Sequence, residues 1–455
     1  MDLLTYHFSG LLELMRGPHG IVALVLLLLL PLALFVFDRI KWVVLALVVY
    51  IAGLGRPHEI HFPDLVGVLQ SLDSASRSLI TFFLFLLIIP TIWTKGGSWR
   101  KRLWFGGTLV FCVCEFAVSL RDIFGGGTDR GVLEFVDYAL IFLVMVVGVS
   151  RWLQSVSDAD AAIKCLCAAS VLFVVGTAAQ IASGSGFIMA SRLTATAANP
   201  NFAAEAITAG LPATLYLVVR KERSPLWRIV AAATAGLLLV MLVWSGSRGG
   251  ALRCLIILFV MFRRRMGSFL VTGTVIGLVV YGGLVLYGSK IEFIGRAFTL
   301  TDNRTAIWIT LLRGFLENPA FGIGSASVGS ENSYLVAASH AGLMALLPLV
   351  LGVGMIVHSL ATLRSRRNEL GDDKLLFDMA AAAVIATLAG AFFDGYLIAN
   401  FSTLLFSFFI YLALLAFVRD GLDHFSGTEP QNVADHETPD GLIPAHEVDQ
   451  EPVYG

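Results

Sequence analysis

What most constrains this chain is a succession of apolar runs, each long enough to approach or cross a lipid bilayer and separated by polar loops. They fall at roughly 20–37, 42–55, 78–94, 103–119, 132–150, 163–182, 202–219, 228–244, 249–262, 268–288, 333–358, 376–393 and 397–418. A bilayer span takes about 20 mostly apolar residues. Backbone groups in hydrocarbon must find partners within the segment, which leaves helices or a closed barrel. These runs are continuous and do not alternate, so helices are predicted. The expected fold class is all-α: a polytopic transmembrane bundle of about 12–13 spans. Composition agrees. Hydrophobic residues make up 57% of the chain and charged residues only 14%, whereas soluble chains carry about 25% charged residues. A water-soluble core could not hide so much apolar surface.

Charge placement then sets the expected orientation. Lys95, Arg100, Lys101 and Arg102 form one basic loop, and Arg220, Lys221, Arg223 and Arg228 the next. Arg263–Arg265 and the group Arg364, Arg366 and Arg367 follow. Counting spans between them puts all four on one side, which the positive-inside rule makes cytoplasmic. The side of the N-terminus stays open, because the first two spans are less clearly bounded. Met1 to Gly20 holds acidic residues and no basic start, so no cleavable signal peptide is expected. The transmembrane domain is expected to cover 1–418. Residues 419–455, acidic and Pro-containing, read as a disordered cytoplasmic tail. Cys112, Cys114, Cys165, Cys167 and Cys254 all fall inside apolar stretches and read as small buried hydrophobes, not as metal ligands or disulfides.

The opposite side carries the longest loop, 289–332. Within it Ile307, Trp308, Leu311, Leu312 and Phe315 recur at helical spacing, and Thr301 or Asp302 can cap the helix. Such an amphipathic helix would lie along the bilayer surface or over the mouth of the bundle.

Arginines on this side run against the positive-inside rule. Arg192 is the one charged residue of loop 183–201, Arg248 sits in Ser245–Gly250 between two nearly abutting spans, and Arg304 opens the loop helix on its apolar side. Guanidinium forks bind phosphate oxygens bidentately and stay charged, so three of them at one face suit a phosphate or diphosphate. The alternative is that each pairs with an acid or snorkels to headgroups. Asn199-Pro200-Asn201 reads as a capped helix start. Glu205, Glu115, Glu134, Asp137, Arg253 and Asp394 are charges within or beside spans, where helix-packing hydrogen bonds are the plainer explanation. Glu331 precedes a span, where the helix dipole favours its ionised form, so it could serve as a general base or simply cap the helix with Asn332. His340, deeper in that span, reads as a packed histidine.

The order of these features resembles the O-antigen ligase and O-antigen polymerase superfamily of bacterial membrane glycosyltransferases. The residues that carry the likeness are Asn199-Pro200-Asn201, Ser247-Arg248-Gly249-Gly250, Asn303 to Trp308, Glu317 to Gly324, Glu331 to Leu335 and Gly342-Leu343. They cover residues 190–360; the hydropathy agrees over the whole chain. The resemblance implies a periplasmic reaction at the inner membrane. A glycan would move from undecaprenyl diphosphate to a glycan or lipid-linked acceptor hydroxyl, with neither metal nor nucleotide sugar. It implies that Arg192, Arg248 and Arg304 hold the diphosphate, with Asn201, Asn332 and Tyr334 as further substrate contacts. Glu331 and Arg304 would be the catalytic pair. Membrane lipids, a chain-length regulator and a flippase are the expected partners, and nucleic acid is not. The ligases of this family typically show His-Asn where this chain has Glu331-Asn332, with Gly342 at the expected 11 residues beyond. Glutamate can still accept a proton, so the departure favours a polysaccharide polymerase over a ligase. A transporter or lipid flippase is the reading from another class, weakened by the lack of an obvious internal repeat; an assembly subunit without activity is a third.

Overall fold

The apolar runs fold as helices for the reason given by their solvent: each satisfies its own backbone. The computed structural model describes residues 29–54 (except 32 and 35), 67–94, 99–125, 128–184, 188–189, 192–197, 199–220, 224–263, 304–324, 332–398 and 401–427. Helices are numbered α1 to α15 along the chain. They are α1 (Ile40–Ile51), α2 (Gly67–Ser74), α3 (Ser76–Trp93), α5 (Thr108–Phe124) after a short α4 (Trp99–Leu103), and α6 (Thr128–Ile141). A π-helical turn, Phe142–Gly148, carries α6 onward to Trp152. Then come α7 (Val156–Ala182), α8 (Pro200–Val219), α9 (Pro225–Ser245), α10 (Arg248–Phe262) and α11 (Arg304–Glu317). The last four are α12 (Ser333–Ala341), α13 (Leu343–Ser365), α14 (Lys374–Gly390) and α15 (Thr403–Gly427). Among the described residues seven helices are long and apolar enough to cross a membrane. The candidate span 268–288 lies outside the described residues.

Burial separates an inner layer from an outer one. The α15 span is 83% buried and α8 is 72% buried, whereas α9 and α13 are only 33% and 28% buried. The outward side chains of those two are apolar, including Leu237, Val240 and Val243 on α9 and Leu347, Val350 and Leu351 on α13. Contiguous exposed leucine and valine would be a liability in water and is ordinary against lipid.

All four basic loops gather at one end of the bundle, joined by acids. Arg102 at the end of the first pairs with Asp420 at 2.6 Å. Arg220 of the second reaches Asp160 at 3.3 Å, and Arg263 of the third reaches Asp378 at 3.1 Å. Arg367 of the fourth also binds Asp378, and Arg366 reaches Asp423 at 3.4 Å. One carboxylate, Asp378, thus ties two loops together. Asp373 of the 3₁₀ segment nearby is held above the ordinary carboxylate range by burial and by Asp372, against the lowering effect of Arg220. The grouping of the basic loops predicted from sequence is what the structure shows.

Two boundaries differ from the sequence reading. The run 333–358 is not one helix. It breaks at Gly342, which adopts φ 62° and ψ −148°, a conformation open essentially to glycine alone. A Cβ there would stand 2.5–2.6 Å from the Ala320 backbone. The break lets the chain 318–324 dock against it: Leu343 N–H donates to Pro319 O at 2.8 Å and Ile323 N–H to Ser339 O at 2.8 Å. Second, α15 continues to Gly427, so 419–427 is helical where the sequence composition predicts the start of a tail.

Candidate functional site

The end opposite the basic loops is organised around the turn between α9 and α10. Helix α9 stops at Ser245 because Gly246 takes a left-handed conformation (φ 57°), and Ser247 caps α10 by accepting from the Gly250 N–H at 3.2 Å. Two residues of connection therefore place Arg248 at the first position of α10, exposed at the end of the bundle.

Arg192 reaches the same turn from a hairpin of two-residue strands in which Met189 pairs with Arg192 and Ile188 with Leu193. Its Nε donates to Ser245 O at 2.7 Å and an Nη to Asn201 Oδ1 at 3.2 Å. Asn201 is set by the helix start that the sequence predicts: Asn199 accepts from the Asn201 N–H at 2.8 Å, and Pro200 occupies the first helical position. Arg192 thereby fastens the starts or ends of three elements together.

Arg304 arrives from the loop helix. It sits on the inward side of α11, its side chain 18% exposed, with Nη2 3.8 Å from Asp394 Oδ1. The other oxygen of Asp394 accepts from Arg253 Nη1 at 2.8 Å. Arg253 is fully buried on α10, its guanidinium 5.4 Å from the centre of the Tyr396 ring. Glu205 on α8 is also buried and is electrostatically coupled to Arg253. Asp394 packs so close to α10 that a Cβ on Gly249 would stand 3.1 Å from its Oδ2. So the three arginines singled out from sequence share one neighbourhood, the α9–α10 turn. Arg192 binds its last α9 carbonyl, Arg248 follows it, and Arg304 joins it through Asp394 beside Gly249.

The start of α12 is anchored to the same loop. Asn332 caps it, its Oδ1 accepting from the N–H groups of Tyr334 and Leu335 at 3.0 Å each. Ser333 donates its hydroxyl to Asp394 O at 2.8 Å and accepts from the Leu397 N–H at 3.2 Å. Tyr334 donates to Leu388 O at 3.2 Å and stacks on Phe392, ring centres 4.5 Å apart. Glu331 lies outside the described residues, as do Thr301 and Asp302. Asn332, its neighbour in the chain, is fixed against the loop that carries Asp394.

The α11 stripe is nearly as predicted. Ile307, Trp308, Leu311 and Phe315 face inward and the helix packs on α12, but Leu312 points out, 46% exposed. Gly314 takes its place, where a Cβ would come within 2.6 Å of Ser339 Oγ. His340 is tied to Asp122 at 2.8 Å, and Arg121 donates to the carbonyl of Phe321 at 2.7 Å. These contacts hold α12 and the turn after α11 to α5.

In the sequence alone Asp394 reads as a packing residue. The available signal was its position: an acid at a span end is costly without a cation, and Arg253 and Arg304 both lacked an obvious acid. What the cluster can do follows from its charge. Around this turn stand four guanidiniums (Arg192, Arg248, Arg253, Arg304) and, among the described residues, two carboxylates (Glu205, Asp394), a donor set of the kind that binds anions. Among the described residues no group of three or more His, Cys, Asp or Glu is arranged to hold a metal ion.

Residues 233–350 match the family model described as O-antigen ligase. Over this stretch, about a quarter of the chain, it is similar to the O-antigen ligases. The matched stretch carries Arg248, Arg304, Glu331, Asn332 and Tyr334, and it supports the O-antigen ligase and polymerase superfamily that the motif order indicates. Arg192, Asn201 and Asp394 lie outside it and join the site through the contacts above. No curated protein matches the chain.

Proposed function

We propose that this chain is a polyprenyl-diphosphate-dependent glycosyltransferase of the bacterial inner membrane, its site facing the extracytoplasmic side. It moves glycan from an undecaprenyl-diphosphate carrier to an acceptor hydroxyl and polymerises O-antigen or exopolysaccharide repeat units. The observation that carries the reading is the gathering of Arg192, Arg248 and Arg304 about one turn, at the end of the bundle opposite the acid-linked basic loops. The positive-inside rule makes that end extracytoplasmic and the C-terminus cytoplasmic.

The chemistry assigns each group a task. Cleavage of the anomeric C–O bond leaves negative charge on the lipid diphosphate, and fixed guanidiniums stabilise that charge without reorganising. Arg248, exposed at a helix N-terminus, adds the dipole of α10 to its own charge. Arg304 closes over the site on α11 and limits access of water, which would otherwise compete with the acceptor. Glu331 accepts the acceptor's proton as the new bond forms. Asn201 orients Arg192, while Asn332 and Tyr334 shape the wall of the site through the contacts that fix α12. The reaction needs no metal in this scheme, because the arginines supply the positive charge.

The family description favours a second reading, an O-antigen ligase that attaches finished glycan to lipid A-core or another acceptor. The glycan profile of a deletion strain separates the two. Single repeat units on lipid carrier indicate the polymerase; full-length polymer left on the carrier indicates the ligase; an unaltered profile refutes both.

A further inference from the structure

Helix α11 has three faces where an amphipathic helix needs two. Its inward face, Arg304, Ile307, Trp308, Leu311, Gly314 and Phe315, is packed. A second face is exposed and polar, carrying Thr310, Arg313 and Glu317. The third is exposed and apolar: Ile309 is 45%, Leu312 46% and Leu316 63% exposed. At 3.6 residues per turn, 309, 312 and 316 form one stripe, roughly a third of a revolution from both other faces. A helix that packs on protein, presents charges on one side and large aliphatic residues on another is built for a boundary between water and hydrocarbon.

The surroundings say what lies against the apolar stripe. The turn after α11 docks on the start of α13, with Leu343 N–H donating to Pro319 O at 2.8 Å and Met344 N–H to Ala320 O at 3.4 Å. Phe321 in that turn is exposed, and so are Leu343, Leu347, Val350 and Leu351 descending α13. The turn that ends α11 thus sets Phe321 at the head of the exposed apolar flank of a helix long enough to span a bilayer. We propose that Ile309, Leu312 and Leu316, with Phe321, contact acyl chains, and that this contact seats α11 at the level of the headgroups. One rigid helix then presents Arg304 to the site at the depth where a lipid's phosphates lie. The lipid contact itself stands whether or not the transferase reading holds.

The test uses the full-length wild-type protein in vesicles of phosphatidylethanolamine and phosphatidylglycerol doped with a phospholipid carrying a photoreactive group high on one acyl chain. Peptide mapping should find adducts at Ile309, Leu312 and Leu316 several-fold above Thr310, Arg313 and Glu317. Adducts spread evenly over the helix, or absent from it, overturn the proposal. A second measurement attaches a fluorophore to Leu312→Cys or Arg313→Cys; the native cysteines are all buried. An acyl-chain quencher should reach position 312 and aqueous iodide position 313. Iodide reaching both equally means the stripe faces water, and neither quencher reaching 312 means protein covers it; either result overturns the proposal.

Discussion

Asp394 serves two arginines, and removing its charge beside removing Arg304 alone should separate what the pair with Arg253 does from what the pair with Arg304 does. Arg253 is fully buried and 2.8 Å from the carboxylate. At an effective dielectric constant of about 20 that separation is worth about 6 kcal/mol of gross attraction. Breaking a buried pair from one side typically costs about 3–5 kcal/mol, because the surviving charge stays buried. Asp394→Asn keeps one acceptor oxygen, so a loss of about 3 kcal/mol is expected. Arg304 is different: it is partly exposed and stands 3.8 Å from Asp394. A longer pair with one partner still reached by water costs less to break than the Arg253 pair, on the order of 1–2 kcal/mol. Arg304→Ala should therefore lower stability less than Asp394→Asn does while abolishing glycan transfer. The assay is thermal unfolding in detergent, followed by the monodisperse fraction on size exclusion, run beside the glycan profile of complemented cells. Wild-type stability in Asp394→Asn would refute the buried pair as a structural tie. Full polymerisation in a well-expressed Arg304→Ala strain would refute Arg304 as part of the site.

Other expectations follow from single contacts. Arg192→Lys keeps the charge but cannot span Ser245 O and Asn201 Oδ1 together; transfer should fall at least about tenfold, with stability lowered by about 1–2 kcal/mol, measured by the same two assays. Gly342→Ala forces a Cβ into the Ala320 backbone at a positive φ, so it should cost about 2 kcal/mol or more and loosen α11, read as faster amide exchange over 304–324. Burial pushes the Asp73 carboxyl from 3.8 up to about 6. The raised value means the group favours the fold fully below its ordinary value and loses that contribution as pH rises through about 6. Asp73→Asn should accordingly be more stable than wild type at about pH 7.5 and close to it at about pH 3, by thermal unfolding at the two pH values.

The helices were legible because hydrocarbon leaves the backbone one local solution, so apolar length alone located them. The side shared by the basic loops was legible for a related reason: like charges repeated across independent loops overdetermine the answer. Details set by contacts between distant residues were not. The break at Gly342 depends on Ala320 lying beside it, and nothing in the run Ser333–His358 announces a neighbour. Leu312 was misplaced because the stripe spacing admits it, while Gly314 enters the packed face through closeness to Ser339 that no hydropathy pattern encodes. Arg192, Arg248 and Arg304 stood out as cations on the wrong side for the positive-inside rule. Asp394 did not, because its meaning lies in two arginines that are 141 positions and 90 positions away in sequence.

The most direct measurement is the affinity of the purified full-length protein for undecaprenyl diphosphate, compared with its Arg192→Ala, Arg248→Ala and Arg304→Ala variants. Charge-assisted hydrogen bonds contribute about 1.5–3 kcal/mol each, so every variant should bind about 10- to 100-fold more weakly. Binding that is unchanged in all three folded variants would contradict a diphosphate site at the α9–α10 turn.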